Sequence, residues 1–66
     1  MKNNLKVERA IKDITQEELA RLIGVTRQAI NSVELGKYVP STILALKLSR
    51  YFNKTVNEIF SLEGDD

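Results

Sequence analysis

Apolar residues recur at three- and four-residue steps along most of this chain, and short polar or glycine-bearing punctuation breaks the steps into segments. Leu5, Val7, Ala10, Ile11 and Ile14 predict a first helix over about residues 3–12. "TQEE" then reads as a capping box, with Thr15 as N-cap and Glu18 reaching back from three residues on. Leu19, Ala20, Leu22 and Ile23 give the second helix its apolar stripe. Gly24 ends that helix, because glycine enters the left-handed backbone region without steric cost. Thr26 caps a third helix, and Gly36 lies just past its end. Pro40 disfavours helix at Val39, Ser41 caps a fourth helix running to about Phe52, and Asn53 suits a left-handed C-terminal cap. "TVNE" repeats the box from Thr55 to Glu58 and opens a short fifth helix through Ile59 and Phe60. No segment alternates like a strand beside a hairpin turn. The pattern therefore predicts one all-α domain of five short helices over residues 1–66, with room only for short terminal strands.

The second and third helices form the informative unit, residues 16–35, "QEELARLIGVTRQAINSVEL". They meet across "GVT", a short turn containing glycine, which is the signature of a helix-turn-helix. Ala20 is small where the two helices cross, and Gly24 takes the turn. Leu19, Ile23, Val25, Ile30 and Val33 fill the angle between them. With those positions consumed by packing, Arg27, Gln28, Asn31 and Ser32 fall on the open face. That face of amides, a hydroxyl and a guanidinium is suited to hydrogen bonding and unsuited to a core.

Composition narrows the chemistry. The 66 residues include no Cys and no His, which removes disulfides, nearly all transition-metal sites, an imidazole base and a thiol nucleophile. No Gly-rich phosphate loop is present. An enzyme is not expected, nor a cofactor, a metal or a small-molecule ligand. No apolar run approaches the roughly 20 residues that span a bilayer, and "MKNNLKVERA" does not read as a signal peptide, so no membrane partner is expected and the location implied is the cytoplasm. Net charge is +1, but residues 1–57 carry +5 and residues 58–66 carry −4. A basic body with an acidic tail fits a polyanion-binding domain whose tail points away from its ligand.

The stretch "ITQEELARLIGVTRQAINSVELGKYVPS", with the closing "LALKLSRYF" and "VNEIF", resembles the XRE family, the helix-turn-helix regulators of phage repressor and Cro type. The resemblance covers about residues 5–60, and among small members it is similar to the cytolysin-operon repressor type. It implies a lambda-repressor-like fold and double-stranded DNA as partner. Gln16 matches a Gln that holds a phosphate with its side chain and helix N-terminus, where free N–H groups attract anions. Thr15, Thr26, Lys37 and Tyr38 are the further phosphate contacts the resemblance implies. Gln28 matches a position that reads base edges in the major groove, where Gln can bond both N6 and N7 of adenine. Arg27, Asn31 and Ser32 complete the base-contacting set. Arg9 and Glu34 align with a salt bridge tying the first helix to the third. Leu35 is a departure: many relatives carry an Asn there that reaches a phosphate, which Leu cannot do.

In the fourth and fifth helices, Ala45, Leu46, Leu48, Ser49, Phe52, Val56 and Ile59 make the expected core-facing set. Ile43, Leu44 and Tyr51 fall outside it, and Phe60 and Leu62 lie at the end of the chain. These five residues, within a region from about 43 to 62, are expected to form a two-fold dimer interface that offsets the marginal core of so short a chain. The resulting expectation is a homodimeric regulator, a repressor, on a pseudo-palindromic operator. The alternative keeps the fold as an antitoxin-like or adaptor module whose exposed apolar residues bind another protein.

Overall fold

The computed structural model describes all 66 residues; of its five helices, the last four begin where the caps foretell, and the first, expected over about residues 3–12, begins at Leu5 with no side-chain cap. They are α1 (Leu5–Ile11), α2 (Gln16–Ile23), α3 (Arg27–Glu34), α4 (Thr42–Phe52) and α5 (Val56–Ile59). Thr15 accepts a hydrogen bond from the Glu18 amide while Glu18 accepts one from the Thr15 amide, and Thr55 with Glu58 repeats this. Thr26 accepts from the Ala29 amide and Ser41 from the Leu44 amide, so each of these four helices starts with its first-turn donors partly satisfied. Gly24 at φ 89° and Asn53 at φ 54° terminate α2 and α4 in the left-handed region. This is a five-helix, lambda-repressor-like all-α domain carrying a helix-turn-helix.

Two short strands close it. β1 (Lys2–Asn3) pairs antiparallel with β2 (Phe60–Ser61), in the register Lys2 to Ser61 and Asn3 to Phe60. Asn3 also donates through Nδ2 to the Val33 carbonyl at 2.8 Å, so the N-terminal strand fastens the end of α3 as well as the end of the chain. The acidic tail folds back onto this corner: Glu63 and Asp66 lie 3.1 and 3.3 Å from the Met1 amine. Those carboxylates, Glu63 first, hold the amine above its ordinary pKa.

One core of eleven residues joins the five helices and β2: Leu5 from α1, Leu19, Ala20 and Ile23 from α2, Ile30 and Val33 from α3, Leu44, Leu48 and Phe52 from α4, Ile59 from α5 and Phe60 from β2. Several positions differ from the sequence reading. Leu44 is buried and Leu46 is exposed, because α4 presents the i, i+4 row Leu44, Leu48, Phe52 inward and leaves Ile43 and Leu46 outward together. Phe60 is not helical; the helix stops at Ile59, and strand pairing with Asn3 seats the Phe60 ring in the core. Of the five residues expected at a dimer interface, Leu44 and Phe60 therefore have little surface left to give a partner. Tyr51 is half-buried with its ring edge-on to Phe52 at 4.9 Å, whereas Ile43 and Leu62 are open. In α1 only Leu5 turns fully inward, and Val7 and Ile11 form an exposed pair one turn apart. Leu22 is likewise exposed on α2.

Candidate nucleic-acid interface

The exposed side of α3 follows from what its buried side must do. Ile30 and Val33 are 0% and 1% exposed and seat the helix against α2, which leaves Arg27, Gln28 and Asn31 in solvent and Ser32 half-buried at the edge. Gln16, first residue of α2, stands beside that face. Gln16, Arg27, Gln28 and Asn31 line an open polar notch of about 180 Å³ with no apolar wall. On the other side of Gln28, a shallower depression is lined by Thr26, Gln28, Ala29, Ser32, Lys37 and Tyr38. Gln28 is thus the ridge between two recesses, flanked by Arg27 and Lys37 as the nearby cations. Eight of the nine residues expected to contact DNA line these two recesses.

Thr15 is the ninth, and its hydroxyl is already engaged at the cap of α2. The same box leaves the Gln16 and Glu17 amides without an intrahelical acceptor, as the first turn of any helix requires. Glu18 is held below the ordinary glutamate pKa, mainly by the Thr15 backbone N–H and then by its hydroxyl.

A polar network sets the angle of this face. Arg9 Nε and Nη2 donate to the two Glu34 oxygens at 2.8 and 3.2 Å, and Arg9 Nη1 donates to the Ile14 carbonyl at 2.9 Å. The Glu34 side chain is only 5% exposed and that of Arg9 17%, so this pair joins α1 to α3 largely out of water. Bonding to Glu34 raises the Arg9 pKa further above its ordinary value, although burial opposes it. Gln16 joins the network: its Nε2 lies 3.1 Å from both Glu34 Oε1 and Asn31 Oδ1. The sequence reading treated the ion pair and the phosphate residue as separate. Their meeting is set by the crossing angle of α2 and α3, and the spacings of 15 and 18 residues in the chain carry no sign of it. Leu35 is exposed just after α3 and has no polar atom to offer a phosphate there.

A short helix fixed across a second one by an apolar hinge, with amides and a guanidinium outward and a helix N-terminus alongside, defines a DNA-binding domain of the helix-turn-helix class. The helix-turn-helix family model matches residues 5–59, so the chain belongs to that family, in its XRE type. It is 47% identical over 66 residues to an uncharacterized HTH-type transcriptional regulator of Methanocaldococcus jannaschii, covering all of both chains. An uncharacterized HTH-type transcriptional regulator of Bacillus subtilis is 42% identical, again over the whole of both. A third relative, the HTH-type transcriptional activator BcrR of Enterococcus faecalis, is 38% identical over 52 residues, which are 79% of this chain and 26% of that one. The chain is a DNA-binding transcriptional regulator of a non-enzymatic family. None of its helices is long and apolar enough to cross a membrane.

Proposed function

We propose that the protein is a sequence-specific repressor that binds a pseudo-palindromic operator as a homodimer, with α3 of each subunit in the major groove. The observation that carries this reading is the notch between Gln16, Arg27, Gln28 and Asn31, a hydrogen-bonding surface free of apolar wall on the exposed side of the second helix of the motif. Arg27, Gln28, Asn31 and Ser32 meet base edges in this reading; Thr15, Gln16, Thr26, Lys37 and Tyr38 meet phosphates, Gln16 through its backbone N–H at the start of α2, because its side-chain amide already donates to Glu34 and Asn31. Half-sites would lie about 34 Å apart on one face of the duplex. Occupancy would block polymerase, and the cytoplasm is where such a chain would work.

Dimerisation is supported by apolar surface a small domain does not otherwise leave open. Ile43 and Leu46 are exposed together on α4, Leu62 is exposed beyond β2, and an open groove runs between Met1, Val56, Asn57, Phe60, Ser61 and Leu62. Selection of bound duplexes from a random pool, repeated with Gln28→Ala and at two salt concentrations, tests the function. A two-fold symmetric site whose preference relaxes with Gln28→Ala supports it, and no enrichment with the wild type refutes it. Sedimentation of the wild type against Ile43→Asp tests the dimer.

One observation favours a second reading of the outcome. The Enterococcus faecalis relative is named an activator, so a bound dimer could recruit polymerase instead of blocking it. A reporter with the selected site placed over the promoter, then upstream of it, separates the two.

A further inference from the structure

The side-chain amide of Asn31 is held in one orientation by a carboxylate that lies outside the reading face. Glu34 accepts two bonds from Arg9, and a carboxylate has no proton to donate. The Gln16 atom 3.1 Å from Glu34 Oε1 is therefore the amine Nε2, since the flipped amide would set oxygen against oxygen. That same amine lies 3.1 Å from the Asn31 side chain, so the Asn31 atom facing it is the acceptor Oδ1. Both hydrogens of the Gln16 amine are thereby committed. Asn31 is left with its Nδ2, a pair of N–H donors, as the free end of its amide in the notch.

We propose that Glu34, acting through Gln16, sets the base preference at the pair Asn31 faces. An untethered Asn bonds adenine with both ends of its amide, accepting from N6 and donating to N7. A tethered Asn31 offers donors, and so selects an edge of acceptors: guanine O6 and N7, or thymine O4. Glu34 and Gln16 are then positioning residues for specificity, in addition to joining the helices. The inference rests on the reading that α3 enters the major groove.

The test is selection from a random duplex pool with four proteins. Asn31→Ala identifies the dependent pair by the loss of preference there. The wild type is expected to favour guanine or thymine over adenine at that pair, by about tenfold. Gln16→Leu keeps the Arg9–Glu34 pair but frees the amide, and adenine is expected to rise to parity there while the Gln28-dependent pair keeps its preference. Asn31→Asp keeps the acceptor that Gln16 holds and replaces the donors by an acceptor, which should move the preference to cytosine or adenine. A merely structural role for Gln16 would weaken every pair alike. Adenine preferred by the wild type, no pair dependent on Asn31, or an unchanged preference in Gln16→Leu would each overturn the inference alone. A wild type that enriches no site would remove the groove reading and this inference together.

Discussion

Cutting the Arg9–Glu34 pair should cost more than its two partners are worth. Glu34 accepts three bonds, from Arg9 Nε at 2.8 Å, Arg9 Nη2 at 3.2 Å and Gln16 Nε2 at 3.1 Å, and its side chain is 5% exposed. In Arg9→Met the carboxylate keeps one donor and little water, so an uncompensated charge remains in a low-dielectric pocket. Removing one partner of a buried pair costs about 3–5 kcal/mol, and Arg9's 17% exposure argues for the lower end, about 3 kcal/mol. Against a total stability of about 3–10 kcal/mol for a chain this size, that places the variant near unfolding. Replacing both partners, Arg9→Met with Glu34→Leu, removes the charge with its counter-charge and should return stability to within about 1 kcal/mol of wild type. Urea unfolding followed by circular dichroism on the wild type, both single variants and the double variant closes the cycle. If Arg9→Met costs under about 1 kcal/mol, the pair behaves like one at the surface and the argument from Glu34's burial fails.

Other expectations are simpler. Leu48→Ala at a fully buried position should cost about 2–5 kcal/mol, read as a lowered urea midpoint with unchanged slope. Gly24→Ala meets nothing within 4 Å but must adopt φ 89°, so thermal unfolding should report the backbone cost alone, about 1–2 kcal/mol. Glu18 and Glu58 have folded pKa values below their unfolded ones, each held down first by the backbone N–H at its cap. Their contribution is present above the unfolded glutamate range and lost as pH falls through the folded values, so the gap in melting temperature between wild type and Glu18→Gln should narrow steadily as pH is taken below the ordinary glutamate range. Lys37 is the one cation assigned to a phosphate in each subunit; a dimer neutralising about two phosphates should give a log–log salt slope near −2 in a binding titration.

Local chemistry was the legible part of this fold. Thr15, Thr26, Ser41 and Thr55 cap helices in the structure because a hydroxyl and the amide it captures lie within four residues of each other, and nothing distant competes. In α4 the structure buries Leu44 where the periodicity predicts Leu46, since the two are equally apolar and the packing of α4 against both α2 and α5 decides between them. Val7 and Ile11 continue the helical period of α1, yet only Leu5 of that stripe is fully buried. A seven-residue helix that also anchors Arg9 to α3 presents one narrow seam, and periodicity alone does not say which residues form it. Eight of the nine candidate DNA residues gather around the two recesses because the helix-turn-helix geometry is itself local. The link from Glu34 through Gln16 to Asn31 is not local, so no pattern in the chain announced it.

That link also bears on how so lightly charged a face can select a sequence. Apart from Arg27, the residues lining the notch are neutral amides, and an amide discriminates only if its donor end and acceptor end are distinguishable to the base. A freely rotating Asn satisfies more than one edge. Holding it costs side-chain entropy, which is lower when a neighbour already restricts the rotamer before binding. Here the restraint comes from Gln16, which is itself held by a carboxylate that Arg9 pins to α1. The first helix, which is not expected to touch DNA, thus reaches the reading face through four polar side chains in sequence. A change at Arg9 should be felt in specificity as well as in stability, and a double variant with its stability restored need not recover its base preference.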